Sequence, residues 1–287
     1  MITVALPNKG RLAERAVALF EQAGLRAEFT SERALVAALG EDFRAIFVRS
    51  ADIPEFVADG AAQVGVTGRD LVAESGREVE TLLDLGFGRC RLAVAVPDAS
   101  PVREAADVPP GSRVATSFPR LTAAFFEGLG VPVEVAPVSG ATEIAPHLGF
   151  AGVIVDLVST GSTLRVNGLR EVATVLDSSA RVIANREACA DAARRGSIDE
   201  LVTALASVLR AEEKRYLMAN VPRDRLERVK EVIPGLGGPT IVEVLDGGGW
   251  VAAHAVVDAC RVYQTIARLK ALGAQGILVT RIERLMP

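Results

Sequence analysis

The chain has little of what usually carries redox, metal or nucleophilic chemistry. Its 287 residues include three cysteines and two histidines. Cys90, Cys189 and Cys260 are odd in number and far apart, which excludes a disulfide framework or a metal-ligand pattern and favours a reducing compartment. His147 and His254 lie in apolar segments, where a hydrogen-bonded, partly buried imidazole is a better reading than a ligand. Aromatic residues make up only 5% of the chain. No apolar run approaches the roughly 20 residues that span a bilayer. The first residues, Met1-Ile-Thr-Val-Ala-Leu-Pro7, read as a strand and a turn, without the layout of a secretory leader. The net charge is −4 with no basic stripe, which argues against nucleic acid. There is no internal repeat, and Leu85-Gly86-Phe87-Gly88 is too broken a glycine fingerprint to indicate NAD. The expectation is a cytoplasmic protein with neither membrane nor nucleic-acid partner.

What is present is a core-forming composition, 49% apolar and 24% charged, long enough for two or three domains. Strands are expected at residues 2–6, 34–39, 44–48 and 62–66. A helix follows Pro7-Asn8-Lys9-Gly10, with Leu12, Ala16, Leu19 and Phe20 on its apolar face. Ser50 is expected to cap a helix over 51–58 that Gly60 stops, and Thr67-Gly68-Arg69-Asp70-Leu71 to open another. This alternation predicts a largely parallel α/β sheet. A second unit begins near Gly88, with strands at 92–96, 113–116, 133–135, 153–155 and 169–176 and helices at 119–130 and 141–148. Strand 183–184 and helix 198–213 return the chain to the first unit. In the tail, strand 216–221, helix 222–232, a hairpin 240–257 around Asp246-Gly-Gly-Gly249, helix 260–272 and strand 276–282 give the split βαβ order. The division expected is 1–88 with 179–213 as lobe I, 89–178 as lobe II, and 214–287 as a ferredoxin-like domain. A cleft between two lobes is a common place for a ligand.

Residues 143–164 are the most informative stretch. The apolar run Val153-Ile-Val155 ends in Asp156 and then in Ser159-Thr160-Gly161-Ser162-Thr163. Glycine permits close backbone approach, and successive N–H groups and small hydroxyls suit phosphate oxygens. Asp156 can accept hydrogen bonds from a ribose diol. Phosphate at one end and diol at the other describe a ribose 5-phosphate site. An isolated Ser-Thr-Gly-Ser-Thr would be read as an ordinary helix cap; the acid, the strand before it and Glu143 upstream favour the ligand.

The same stretch resembles the signature of the ATP phosphoribosyltransferases through Glu143, Gly149, Ala151, Ile154, Asp156, Leu157, Thr160, Gly161, Thr163 and Leu164. The resemblance extends to Leu6-Pro7-Asn8-Lys9-Gly10, Arg49-Ser-Ala-Asp52-Ile53-Pro54, Gly65-Val-Thr67-Gly68-Arg69-Asp70-Leu71, Val114-Ala-Thr116-Ser117-Phe118-Pro119 and Pro234-Gly-Leu-Gly-Gly-Pro239-Thr240-Ile241. Motifs in this order cover nearly the whole chain. It implies a two-lobed, periplasmic-binding-protein-like catalytic body with a ferredoxin-like, ACT-like regulatory tail, the long form of the enzyme. It also implies a reaction: adenine N1 of ATP attacks C1′ of 5-phosphoribosyl 1-pyrophosphate (PRPP), and pyrophosphate leaves. Mg²⁺ as cofactor, a homo-oligomer (dimer or hexamer) and inhibition by histidine are further implications.

On this basis Asp156, Ser159, Thr160, Gly161, Ser162 and Thr163 are the expected PRPP loop. Arg49, at a strand end, is a candidate clamp on the pyrophosphate and, with Asp156, a candidate catalytic group. Lys9, Gly10 and Arg11 at the first helix are candidates for ATP; cations in a first helical turn oppose the dipole and so point to a ligand. Asp70, Leu71 and Phe118 complete the ATP set, with a helix-start acid and a core aromatic as the competing readings. Glu143 is expected to be structural or to support the site without touching the ligand. Asn220, Leu236, Gly238, Thr240, Val256 and Gly276 fall where the family forms its histidine pocket; Asn220 replaces a frequent acid there, and Gln63 replaces one in the catalytic half. No metal ligand is assigned. Positioning and charge stabilisation suffice for displacement at C1′, so no nucleophilic serine or cysteine is expected. Two alternatives remain: transfer to another base, and a non-catalytic two-lobed solute-binding protein with a sensor tail.

Overall fold

The computed structural model describes residues 1–29, 31, 34–245 and 248–286. The chain divides into two compact units, Met1–Ala18 with Leu25–Val202 and Leu19–Gly24 with Thr203–Pro287.

The first unit holds two sheets. Strands β1 (Ile2–Pro7), β2 (Ala27–Phe29), β3 (Val36–Leu39), β4 (Phe43–Val48), β5 (Val64–Gly68) and β6 (Glu80–Asp84) belong to the first sheet. Strands β7 (Cys90–Pro97), β8 (Ser112–Thr116), β9 (Val133–Pro137), β10 (Val153–Val158) and β11 (Leu169–Ser178) form the second, and β12 (Ala180–Ala184) returns to the first. The spatial orders are β2-β3-β4-β1-β5-β12-β6 and β11-β7-β10-β8-β9. Each sheet is built on a parallel trio, β4-β1-β5 or β9-β8-β10. Beside each trio lies one antiparallel strand that arrives by crossing from the other sheet, β12 in the first and β7 in the second. This is the two-lobed body expected.

Burial explains the placement. Every residue of β1 and β5 is buried, as a central strand covered on both faces requires. β3 alternates exposed and buried, as an outer strand does. The helices are α1 (Ala13–Gln22), α2 (Ile53–Ala58), α3 (Arg69–Ser75), α4 (Pro119–Gly128), α5 (Ser162–Val166), α6 (Arg186–Ala190) and α7 (Ala192–Glu212). Leu12, Ala16, Leu19 and Phe20 are all buried.

Several expectations need correction. The sheets are mixed, because both crossing strands and the β2-β3-β4 meander pair antiparallel. Residues 141–148 do not form a helix but a 3-10 turn, Thr142–Ile144, followed by turns. Pro146 has no N–H, and its ring would clash with the Thr142 carbonyl in a continuing helix. Ser50 is no cap: it lies inside a 3-10 turn, Ser50–Asp52, and its carbonyl accepts from Thr67 Oγ1 at 2.8 Å. β2, β6 and α6 add to the elements expected; β2 and β6 are short, partly exposed strands without a clean alternation.

The second unit contains β13 (Lys214–Pro222), α8 (Leu226–Val232), β14 (Thr240–Glu243), β15 (Trp250–Asp258), α9 (Val262–Ala271) and β16 (Gln275–Arg281). The order β14-β15-β13-β16, all antiparallel, is that of a ferredoxin-like βαββαβ domain. Residues 246 and 247 of the expected hairpin turn lie outside the described residues. On one face Leu217, Ala219, Val221, Val251, Ala253 and Ala255 pack with Val229 of α8 and Leu269 of α9. The other face carries Met218, His254 and Leu278 in one cross-strand row.

Gly65 of β5 tests how closely helix and sheet pack. A methyl group there would come within 2.6 Å of Ile53 Cγ2 and 2.8 Å of Val57 Cγ2 of α2. Gly65→Ala is expected to destabilise the protein by about 1–3 kcal/mol through overpacking, read as a lower denaturation midpoint at unchanged m-value.

Candidate functional site

The loop after β10 encloses a cavity of about 340 Å³ lined by Glu143 and by every residue from Asp156 to Leu164. Strand β10 is buried through Val155, fixing where Asp156 emerges. Gly161 adopts the left-handed conformation, φ +74°, which turns the chain into α5. A side chain at Gly161 would also lie 3.2 Å from Arg165 Nη1 and 3.3 Å from Glu171 Oε1. Thr160 Oγ1 and Ser162 Oγ are 3.0 Å apart, and Thr160, Ser162 and Thr163 are exposed. The N–H groups of Gly161 and Thr163 have no protein acceptor among the described residues. The loop therefore offers a cluster of donors without carrying a formal charge of its own.

At the other end of the cavity Asp156 accepts from the Leu157 N–H at 2.7 Å. Burial pushes its carboxyl pKa up, and the neighbouring charge of Glu143 adds to this; hydrogen bonds from Leu157 and Thr142 work against the rise. Two carboxylates thus share this end of the cavity, although Glu143 precedes Asp156 by a turn and a strand.

Sequence reasoning missed the groups that hold the loop in place. Arg91 of β7 makes a two-pronged ion pair with Glu171 of β11, 2.6 and 2.5 Å, and reaches the Ser159 carbonyl at 3.4 Å. Arg165 donates to the Thr160 carbonyl at 3.3 Å. Arg165 was discoverable, four residues after Gly161 on a helix. Arg91 and Glu171 are brought together only by the pairing of β7 with β11.

The first sheet presents a second edge. Pro7 of β1 pairs with Val48 of β4, and the Asn8 N–H bonds to the Val48 carbonyl, so the segments carrying Lys9, Gly10 and Arg49 leave the sheet side by side. Lys9 and Arg49 are exposed. Both lie beyond the carboxyl ends of parallel strands, where open α/β sheets bind ligands.

Of the other candidates for ATP, Arg11 is exposed, Asp70 and Phe118 are buried, and Leu71 is partly buried. Asp70 is fully buried; both its oxygens lie 3.2 Å from Arg11 Nη2, and Ser178 Oγ donates to Oδ1 at 2.5 Å. Arg11 also donates to the Gly88 carbonyl. Phe118 is buried in the core of the second sheet beside Leu92, Val94 and Phe126, and Leu71 packs against the same cluster. In this arrangement Asp70 has no free oxygen and Phe118 no open face for a nucleotide. Gln63 bridges the Thr3 N–H and the Gly60 carbonyl, the latter a bond that an ionised acid cannot donate. Both histidines are hydrogen-bonded, His147 to the Asn167 carbonyl and His254 to the Tyr216 hydroxyl.

The six tail residues fall into groups. Leu236 and Val256 line a cavity of about 240 Å³ with Lys214, Glu231, Arg261 and Arg268. Asn220 and Gly276 are neighbours on β13 and β16: a side chain at Gly276 would meet Asn220 Nδ2 at 3.5 Å. Thr240 pairs with His254, two strands from Asn220. Gly238 lies in the exposed loop before β14.

A donor-rich turn facing a carboxylate, at the carboxyl edge of a parallel trio in a two-lobed α/β body, fits the class of proteins that act on phosphorylated sugars. Relatives narrow this further. Residues 49–207 match the model of the family described as HisG: ATP phosphoribosyltransferase, and 211–284 that of the HisG C-terminal domain. ATP phosphoribosyltransferase of Gemmatimonas aurantiaca is 61% identical over 292 residues, covering all of both chains. That of Methanothermobacter thermautotrophicus is 47% identical, covering 100% of this chain and 99% of its own. Among solved structures, the ATP phosphoribosyl transferase (HisG:HisZ) complex from Thermotoga maritima aligns with TM-score 0.66 and 26% identity, over 74% of this chain and 99% of that one. The chain belongs to the ATP phosphoribosyltransferase family, in its long form with a C-terminal domain. It is a pentosyltransferase of the first step of histidine biosynthesis and needs a divalent metal. Among the described residues no helix is long and apolar enough to cross a membrane.

Gly161→Ala is expected to raise the PRPP Michaelis constant at least tenfold. Left-handed backbone and crowding by Arg165 and Glu171 both oppose the methyl group. Steady-state kinetics with a circular dichroism check of folding measure this; wild-type kinetics would contradict it.

Proposed function

We propose that the Asp156–Thr163 loop binds the ribose 5-phosphate part of PRPP. Backbone N–H groups near Gly161 and the hydroxyls of Thr160, Ser162 and Thr163 take the 5′-phosphate, and Asp156 takes the ribose diol. The observation that carries this reading is the single cavity that joins those donors to the carboxylate. ATP is assigned to the edge of the first sheet near Lys9 and Gly10, with Arg49 on the pyrophosphate. Arg11, held by its ion pair with Asp70, steadies the turn after β1 beside that site, and Leu71 and Phe118 lie behind it in the core of the second sheet.

Adenine N1 brings its own lone pair, so the protein's task is to align it with C1′ and to stabilise the charges that separate there. The metal is assigned as Mg²⁺. The ion is assigned to the pyrophosphate, with Asp156 and Glu143 as the nearby carboxylates. When bound it would neutralise the leaving group.

For regulation we take the tail as a histidine-binding domain in a cytoplasmic homo-oligomer. Asn220 and Thr240 are separated by two strands and two residues, roughly 12 Å. A single histidine does not reach across that distance on a flat sheet face, which favours a site completed by a second copy. Residues 1–88 with 179–213, 89–178 and 214–287 are the functional divisions in this scheme.

Three outcomes test the proposal. Pyrophosphate release from ATP and PRPP should require the metal, and the product should absorb more strongly in the ultraviolet. Nucleobases in place of ATP should give no product; tight PRPP binding without turnover would instead indicate a binding protein. Asp156→Asn and Thr163→Ala should each weaken PRPP binding by about 1.5–3 kcal/mol, roughly tenfold to a hundredfold.

The raised pKa of Asp156 adds a sign. The diol needs an ionised acceptor, so kcat/KM for PRPP should fall as pH drops through a value above the usual carboxylate range. Asp156→Asn should lack that limb; an unchanged profile would exclude Asp156 as its origin. Residues 1–213 alone should lose histidine inhibition, and inhibition persisting in an active truncated enzyme would exclude a site on the tail.

A further inference from the structure

Helix α3 follows β5 and packs Val72 on the core of the first sheet, yet at its start, middle and end it is also engaged by the second. At its start the Arg69 N–H bonds to the Ser179 carbonyl, and Arg69 Nη1 to the Asp177 carbonyl. In its middle Leu71 packs on the core of the second sheet. At its end Glu74 reaches the first turn of α4. Its Oε1 accepts from the Arg120 N–H at 2.8 Å and its Oε2 from the Leu121 N–H at 2.9 Å.

The contact at that end is reciprocal. The first turn of α4 exposes N–H groups and the positive end of a helix, and a carboxylate from α3 satisfies both. Pro119 at the first position leaves Arg120 and Leu121 as donors. No side chain of its own caps α4, since its N-cap residue is Phe118. In turn Arg120 lies against Gly76, the left-handed C-cap of α3, φ +63°, where a methyl group would overlap its guanidinium. A cation thus sits at the carbonyl end of α3 and an anion at the amide end of α4.

We propose that Glu74 is a positioning residue for phosphoribosyl transfer: by capping α4 from α3, it fixes the separation of the sheet that carries the PRPP loop from the sheet edge that carries Lys9 and Arg49. It touches neither substrate. It acts on the distance between two reactants held on different sheets, a quantity to which in-line displacement is sensitive: about 1 Å of misplacement costs up to a hundredfold in rate. The proposal rests on the assignment of PRPP to the Asp156–Thr163 loop, which lies wholly within the second sheet's half of the chain.

The test separates binding from alignment. Glu74→Ala should lower kcat by about tenfold to a hundredfold. The PRPP Kd, measured by calorimetry without ATP, should stay within about twofold, because the loop itself is untouched. Glu74→Gln keeps one acceptor oxygen and should fall between wild type and Glu74→Ala; general loss of fold would not give that ranking. Spin labels at Glu41→Cys, in the turn joining β3 and β4 of the first sheet, and Ala99→Cys, in the turn after β7 of the second, with the exposed Cys260 changed to serine, report the separation directly. Their distance distribution should broaden or shift in Glu74→Ala. Wild-type kcat in Glu74→Ala, or a reduced kcat with an unaltered distance distribution, overturns the role assigned to Glu74. Arg120→Ala gives a second reading of the same distance should Glu74→Ala prove unstable. If Asp156→Asn binds PRPP like wild type, the loop assignment fails instead, while the label distances still report on Glu74.

Discussion

A single buried carboxylate organises the catalytic body. Asp70 has no exposed surface, and a charge in that position persists only if it is paired and hydrogen-bonded. Its partners come from places far apart in the sequence. Arg11 leaves the turn after β1, and Ser178 ends β11 at the second crossing between the sheets. Arg11 also holds the Gly88 carbonyl at the first crossing. Both passages of the chain between the sheets are therefore tied to one acid at the start of α3. The thiol of Cys90, beside this cluster, has its pKa raised, chiefly by burial, so it is no ready nucleophile.

The loop proposed to bind PRPP follows the same logic on a smaller scale. Its donors are useful only if they are held apart from one another and from the protein's own acceptors. The paired Arg91 and Glu171 fix the Ser159 carbonyl, Arg165 fixes that of Thr160, and Gly161 makes the bend that a side chain would obstruct. A donor cluster preorganised this way loses little ordering entropy when an anion arrives.

Much of this was legible in the sequence, for identifiable reasons. β1, β7 and β10 are strongly apolar runs that end at proline or at a charge. The hydroxyl-rich stretch is short and local, so spacing alone placed it. The tail's order of elements is unambiguous because glycines and prolines punctuate it. Illegible features depended on distant pairing. The strand expected at residues 183–184 is found at Ala180–Ala184, but nothing in the sequence says that it inserts antiparallel between β5 and β6. For Asp70 and Phe118 the sequence leaves two readings open, a ligand contact against a helix-start acid or a core aromatic, because the burial of both depends on long-range pairing. Residues 141–148 have helical composition, and only the backbone demand of Pro146 defeats it.

The insertion of β12 between β5 and β6 bears on how the chain is made. The first sheet contains strands from the earliest residues synthesised, but its sixth member in space is complete only at Ala184. On the ribosome β5 and β6 lack their shared neighbour until the whole second sheet has emerged. Their unpaired edges invite wrong association during that interval. Closing a loop of this length is slow relative to local helix formation. The nascent polypeptide thus finishes its second-made layer before its first, and the amino-terminal half depends for its completion on vectorial synthesis of the segment that follows.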